Sequence, residues 1–426
     1  MSYGIPAAHR RRWLAAAIAA TGAVLWLTLL PGSDRAAQAS QTTPFFCLVC
    51  GETGMVDVIL NVLLLVPLGF SLQRAGWPTR RAMAAGVGLT LLIEGLQLAA
   101  IPGRDASLSD LLTNSLGCWL GVAIGSNLNR LFGPDPRQAR WLAGGAAALA
   151  GAVMAATGWL LTPSLPEARW YGQLAAELGQ YERFEGTVLG ADANGVELPS
   201  HLIERDAELR ERVRHGGWSV TARFIGGAPT RGAAPIVSIF DGRQRKVVFL
   251  GQLGDDLLFE PRMRAEDWRL RPPRFSLDGA LALAAGDSVS ARAEWRDGIV
   301  RLGSQRGAER REAAVALSPG LGWALLSPVE RPLGGEANWI SVLWTAAWWL
   351  PVGFYGILTG TGPARRSGRA LILMLGAGAV LAGSSALSGL PFPDWTLWAA
   401  TLGGVLAGVA LTRSARTTAR PEYPGA

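Results

Sequence analysis

Eight mostly apolar stretches, each close to the about 20 residues that an α-helix needs to cross a hydrocarbon core, set what this chain can become. They lie at roughly Trp13 to Leu30, Val58 to Arg74, Ala82 to Ile101, Leu108 to Leu128, Trp141 to Leu161, Trp339 to Leu358, Ala370 to Leu387 and Trp395 to Leu411. The rest of the composition agrees: with 49% hydrophobic and only 17% charged residues, the chain is too apolar for an ordinary soluble protein. A net charge of +7 raises the question of nucleic acid. The basic residues, however, form short clusters beside the apolar runs and not one patch or stripe, so no nucleic-acid partner is expected. Nearly all of them are arginine, Lys246 being the only lysine.

Orientation follows from where arginine collects, because short loops left in the cytoplasm are enriched in it. Every second connection is basic: Arg10 to Arg12, then Arg74, Arg80 and Arg81, then Arg130, Arg137 and Arg140, then Arg365, Arg366 and Arg369, then Arg413, Arg416 and Arg420. Both termini are therefore expected in the cytoplasm, with 413–426 as a tail. The large polar segment between the fifth and sixth spans is expected on the periplasmic face of an inner membrane. Residues 1–31 carry the first span, for which a cleaved signal peptide is the competing reading, since basic residues, an apolar run and "AQAS" resemble one. Its apolar run exceeds the usual apolar core of a signal peptide, and Pro31 to Arg35 separate it from that cut.

Polar side chains interrupt the second, third and fourth spans. Asp57 and Asn61 lie one turn apart where the second begins; Glu94 and Gln97, three apart, share a face near the end of the third; Asp110 and Asn114, four apart, share a face at the start of the fourth. Arg104 and Asp105 lie in the intervening loop. With the topology above, Asp57, Asn61, Glu94, Gln97, Arg104, Asp110 and Asn114 converge in the outer leaflet. Intramembrane charge costs about 2.5 to 3.5 kcal/mol at a helix centre, so such residues face a bundle interior or cavity and find partners. Three readings follow. The cluster can bind a polar head group, with Arg104 pairing an anionic group. It can act on a lipid-linked substrate, with Glu94 as general acid or base beside Asp110. Or it only clamps helices together. Whether the protein is an enzyme stays open.

The succession "DVILNVLLLVPLGF", a basic loop, "LLIEGLQ" and "GRDASLSDLLTNSLG" resembles the VanZ-like family of bacterial membrane proteins, over about Met55 to Asn127 within a domain placed at 57–162. The resemblance implies a place in the bacterial cell envelope and, through the founding member, a link to low-level resistance to the glycopeptide teicoplanin. It names Asn61, Glu94, Gln97, Arg104, Asp110 and Asn114 as matching positions without giving them chemical roles. An envelope glycan or lipid-linked precursor is the partner it implies beside the lipid bilayer. A fainter echo joins "LLLVPLGF" at Leu63 to Phe70 with "AWWLPVGF" at Ala347 to Phe354, so the last three spans, 339–412, are a candidate degenerate copy of the second to fourth. In that register Thr345 replaces Asn61, and nothing matches Glu94.

Between residues 166 and 335 the sequence turns polar, opening with a short helix and continuing as strands. "WSVTARFIGG" alternates Trp218, Val220, Ala222 and Phe224 against polar residues, the period of a half-buried strand. Asp241-Gly242 and Asp297-Gly298 each separate two strand-like runs, a strong hairpin signal. This segment resembles concanavalin-A-like, laminin-G-type jelly rolls, which implies carbohydrate binding. Trp218 and Trp295 fall on apolar strand faces and are expected in the core. Asp255 and Asp256 fall short of the six or more oxygens that calcium takes, and a solvated turn is the simpler expectation. In the outer loop 32–56, Cys47 and Cys50 of "CLVC" are a candidate disulfide or a pair of thiols; zinc would want four ligands, and no second such motif exists. No metal and no cofactor are expected. The chain thus reads as a polytopic α-helical membrane protein of about eight transmembrane helices with an extracytoplasmic all-β jelly-roll sandwich.

Overall fold

Each of the eight apolar stretches falls within an α-helix to within a residue at its end, and the polar segment between the fifth and sixth folds as two antiparallel sheets. The computed structural model describes residues 7–29, 46–49, 51–100, 107–176, 181–282, 286–329, 331–334, 339–359 and 363–418. The chain divides into two compact units, Met1–Pro134 and Asp135–Ala426.

The first unit holds α1 (Ala7–Leu29), α2 (Gly54–Arg74), α3 (Thr79–Ala100) and α4 (Leu108–Phe132). Ala17 and Val24 of α1 share a core with Leu65, Leu68 and Leu72 of α2, Ile93 of α3 and Cys118 and Val122 of α4. The tightest contact joins α2 to α4. Gly117, Gly121 and Gly125 recur every fourth residue along α4, one face of a helix. A Cβ at Gly117 would collide with the Val62 carbonyl, and one at Gly121 with the Val66 carbonyl and the Phe70 amide. From the other side, a Cβ at Gly69 would strike the backbone of Cys118. Small residues let membrane helices approach to backbone contact, where dispersion and short-range packing take the place of a hydrophobic drive that lipid does not supply.

Seven helices among the described residues are long and apolar enough to cross a membrane: α1, α2, α3 and four from the second unit. The expected fourth span is corrected in character. At 25 residues α4 has the length, but Ser109, Asp110, Thr113, Asn114 and Ser115 dilute its apolar content. Its buried side is mostly small or polar, Ser109, Asn114, Gly117, Cys118, Gly121, Val122 and Gly125, while Leu112, Leu116, Trp119 and Ile124 keep an apolar outer face.

The second unit begins with α5 (Pro136–Leu160), whose first turn is capped by Asp135 accepting from the Arg137 and Gln138 amides. There follow β1 (Trp170–Leu174), β2 (Thr187–Ala193), β3 (Val196–Glu197), α6 (Asp206–Gly216), β4 (Trp218–Ile225), β5 (Thr230–Asp241), β6 (Lys246–Gly254) and β7 (Asp256–Pro261). Then come α7 (Arg264–Asp267), β8 (Phe275–Leu277), β9 (Ser288–Arg296), β10 (Ile299–Arg306), β11 (Glu309–Ala316) and a 3-10 helix (Pro319–Leu326). The unit closes with α8 (Trp339–Leu358), α9 (Pro363–Leu387) and α10 (Trp395–Thr418). Met154 and Ala150 of α5 pack with Trp349 and Val352 of α8, Ala377 of α9 and Val405 of α10.

The strands form one sheet in the order β1-β5-β6-β7-β8 and another in the order β11-β10-β9-β4-β2-β3, an all-β sandwich. Trp218, Val220, Ala222 and Phe224 are all buried, as their alternation requires, and so is Trp295. Trp170 of one sheet stacks on Trp218 of the other at 5.8 Å between ring centroids. The opening of this segment is a strand and not the expected helix. Trp170 and Gly172 point inward on alternate residues, and β1 pairs with β5 from Trp170↔Asp241 to Leu174↔Val237, so core burial of the tryptophan outweighs local helix propensity.

Both Asp-Gly pairs lie in hairpins, but they make different turns. Asp297 (φ 51) and Gly298 (φ 69) are the two central residues of a tight turn between β9 and β10, the left-handed pair that such turns require. Between β5 and β6 the loop is longer and Asp241 organises it from the strand end. Its carboxylate accepts from the amides of Arg243 and Arg245, each at 2.9 Å, and from Arg245 Nε at 2.7 Å. Burial alone would raise the Asp241 pKa, but these donors outweigh it and hold the carboxyl below its ordinary value. Lys246, next along the chain, is partly buried against the buried Glu260; burial opposes its charge, yet the carboxylates of Glu260 and Glu266 keep it above the ordinary lysine value.

Two outcomes are expected. Gly121→Leu forces α2 away from α4 and lowers unfolding stability by about 1 to 3 kcal/mol or more, whereas Gly88→Ala, where a Cβ meets nothing within 4 Å, leaves it unchanged or slightly raised; melting curves in detergent compare the two. Because the folded Asp241 pKa is depressed, its stabilisation is present above the unfolded value near 3.8 and is lost as pH falls through the folded value. Protection of the β5 and β6 amides, the observed hydrogen exchange relative to the intrinsic rate at each pH, should therefore fall in acid in the wild type. In Asp241→Asn it should be low already at neutral pH.

Candidate functional site

The polar residues of the first unit gather at one end of the bundle because of how the helices run. Asp57 and Asn61 occupy the first two turns of α2, Glu94 and Gln97 the last two of α3, and Asp110 and Asn114 the first two of α4. The arginines Arg74, Arg80, Arg81 and Arg130 mark the opposite helix ends. Asn61 Nδ2 donates to Asp110 Oδ1 at 2.6 Å, joining α2 to α4 across the mouth. Glu94 Oε2 accepts from the Ser107 amide at 2.9 Å, and the Ser107 side chain caps α4 by accepting from the Asp110 amide at 3.0 Å. Gln97 reaches the other way, its Nε2 donating to the Thr28 carbonyl in the last turn of α1 at 3.0 Å. The three helix ends and α1 are thereby linked through side chains that sequence spacing had placed on common faces.

Two members differ from the rest. Asp57 is exposed at the start of α2. Asn114 is 3% exposed, and its Oδ1 has no hydrogen-bond partner among the described residues. A buried acceptor left unpaired carries a desolvation cost of about 1 to 3 kcal/mol, so Asn114, one turn below Asp110, is the member of the cluster whose polar demand is unmet among the described residues. Arg104 lies outside the described residues. Ser107, Ser109 and Thr28 were not singled out from the sequence. The first had a readable signal, the "SLSD" spacing of a helix N-cap ahead of an acid. Ser109 Oγ donates to the Leu48 carbonyl at 2.7 Å, which ties the outer loop to α4; neither that carbonyl nor that of Thr28 leaves any mark in a sequence. In the same loop Cys47 is disulfide-bonded, while Cys50 lies outside the described residues. Cys118 is a buried free thiol.

The cluster is rich in acceptors. With carboxylates at Asp57, Glu94 and Asp110, it suits a ligand that presents hydroxyl, amide or ammonium donors. Among the described residues no three His, Cys, Asp or Glu side chains are grouped to hold a metal ion. Asp256 caps a turn by accepting from the Gly279 amide at 2.7 Å. On the open face of the six-stranded sheet a hollow of about 650 Å³ has Gly303 as part of its floor and Arg292, Arg301, Gln305 and Arg310 around it. It contains no aromatic platform. Trp268 is half exposed and packs edge-on against Trp159.

Residues 17–129 match the VanZ/LLP1 family model. The match runs from the middle of α1 almost to the end of α4, so the first unit carries a VanZ-like domain. No curated protein and no solved structure gives a match. With its apolar helices, the chain is a multi-pass membrane protein of the bacterial envelope. If the Asn61–Asp110 bond is made in the membrane, a double-mutant cycle with Asn61→Ala and Asp110→Ala should show a coupling of about 0.6 kcal/mol, up to about 1.7, the range of interhelical polar contacts. Additive losses in unfolding free energy would mean that the two side chains do not meet.

Proposed function

We propose that the protein recognises the polar head group of an envelope lipid or lipid-linked precursor at the mouth formed by α2, α3 and α4. The observation that carries this reading is the buried, unpaired Oδ1 of Asn114 beneath Asp110, in a mouth lined by acceptors and opposite the arginine-rich helix ends. A head group bearing hydroxyl or ammonium donors supplies what the mouth lacks. Arg104 pairs with its phosphate or carboxylate, for which guanidinium geometry is suited. By the arginine distribution, the mouth and the sandwich both face the periplasm, and both chain termini face the cytoplasm. The sandwich, read as a jelly roll, holds a glycan on that side. Through the VanZ-like domain this recognition is tied to reduced susceptibility to glycopeptides such as teicoplanin.

A second reading, the helix clamp, is favoured by the pairing already present: Asn61 with Asp110, Ser107 with Glu94 and Gln97 with Thr28 are satisfied without any ligand. The two readings separate in one experiment. Native mass spectrometry of the purified full-length chain with phosphatidylethanolamine, phosphatidylglycerol and undecaprenyl phosphate compares the wild type with Glu94→Gln and Arg104→Ala, beside their melting temperatures. Selective loss of one head-group class, at least tenfold in occupancy with melting unchanged, is expected for recognition. Lower melting with every lipid retained assigns the cluster to the clamp.

A further inference from the structure

The helix contacts of the second unit repeat those of the first at fixed offsets. Counting 284 residues on from α2, Asn61, Pro67, Gly69 and Phe70 become Thr345, Pro351, Gly353 and Phe354 of α8. Counting 287 on from α4, Gly117, Cys118 and Gly121 become Gly404, Val405 and Gly408 of α10. The backbone contacts obey the same arithmetic. A Cβ at Gly117 meets the Val62 carbonyl, and one at Gly404 meets the Ala346 carbonyl. One at Gly121 meets the Val66 carbonyl and Phe70 amide; one at Gly408 meets the Leu350 carbonyl and Phe354 amide. One at Gly69 meets the backbone of Cys118, and one at Gly353 that of Val405. Shared use of Leu and Gly can make two apolar helices look alike, but it cannot bring the same backbone atoms together in the same register. The remaining helices follow suit: α1 packs on α2 and α3, and α5 packs on α8 and α9.

We propose that the chain contains two copies of one four-helix unit, α1 to α4 and α5 with α8 to α10, and that the sandwich is inserted in the second copy between its first and second helices, with the 3-10 helix seated where the first copy keeps its polar mouth. The offsets convert Asp57, Asn61, Asp110 and Asn114 into Ser341, Thr345, Leu397 and Thr401, and no Asp or Glu lies within α8, α9 or α10. Gly320 fills the equivalent of the mouth: a Cβ there would stand 2.5 Å from Leu397 Cδ2, 3.2 Å from Thr345 Oγ1 and 3.4 Å from Ser341 Cβ. Trp323 Nε1 donates to Ser341 Oγ at 3.0 Å, so the position equivalent to Asp57 is used to hold the 3-10 helix. Gly322 fits beside Thr157 and Trp344 in the same way. Thr345 and Thr401 are completely buried, whereas Asn61 and Asp110 keep partial exposure. The second copy has lost its charged groups and become a socket for the sandwich, so only the first copy offers a mouth to a ligand. The inference does not depend on what that ligand is.

Paired cysteines in the full chain, with Cys118→Ala to remove the buried thiol, test the register and the socket. Asn61→Cys with Asp110→Cys, Thr345→Cys with Leu397→Cys, and Gly320→Cys with Leu397→Cys should each oxidise in native membranes with complete loss of both new thiols. Moving the α10 partner to Trp398→Cys should abolish the bond, because a disulfide needs its Cβ atoms about 3.5 to 4.5 Å apart. If the Thr345 and Leu397 pair stays reduced while another α10 position crosslinks, the repeated register is wrong. Hydrogen exchange of the unmodified protein covers variants that do not fold: amides of residues 321 to 326 should exchange as slowly as those of β4 and β9. Exchange there within seconds overturns the socket.

Discussion

Backbone contact between α2 and α4, with glycine at each crossing point, is the constraint on which the first unit depends. In lipid no solvent drives two apolar helices together, so their association rests on how closely atoms can approach. Gly69, Gly117 and Gly121 remove the side chains that would hold the helices apart. Their alignment sets the register that brings Asn61 on α2 within hydrogen-bond reach of Asp110 on α4. The mouth is thus a consequence of the crossing below it, since a shift of one turn along either helix would separate the amide from the carboxylate.

That arrangement also explains why α4 can be so polar. Its buried face touches protein, and the hydroxyls of Thr113 and Ser115 fold back onto carbonyls within the helix. An intramembrane helix satisfied in this way does not need a continuous apolar surface. Glu94 is accommodated by the same logic: its carboxylate accepts from the amide of Ser107, the residue that caps α4, at the helix end where the dipole favours negative charge. The acid, the cap and the crossing glycines form one mechanical unit.

Much of this was legible in the sequence, in proportion to how local the causes are. Hydropathy located the helices because lipid imposes a length and a composition on each span, and α4, diluted by polar residues, met only the length. Alternation located β4 and its buried Trp218, and Asp297-Gly298 announced a tight turn because few residue pairs accept its backbone. What escaped depends on distant partners. The opening of the sandwich segment read as a short helix and is a strand because β5 pairs beside Trp170 and Trp218 stacks on it from the other sheet. Asp241 signalled a hairpin correctly, but its role as the organiser of a longer loop rests on amides that the sequence does not display. Of the polar cluster, the shared helix faces were readable from spacing. The use of Ser107 and of the Thr28 carbonyl was not, since a backbone group looks the same at every position.

One feature of the second unit bears on how such a chain could arise. The chain leaves α5 into the sandwich and comes back from it into α8, and these two helices pack against each other. In polymer terms the whole sandwich is a closed loop between two fixed anchors. The entropy of closing a loop grows only with the logarithm of its length, about 0.6 kcal/mol for each doubling. Exchanging a short connection for a folded domain therefore burdens the helix pair by only a few kcal/mol, and contacts such as Trp323 with Ser341 and Trp159 with Trp268 are of the size needed to offset it. A folded module can be acquired at such a connection without re-engineering the membrane bundle that receives it.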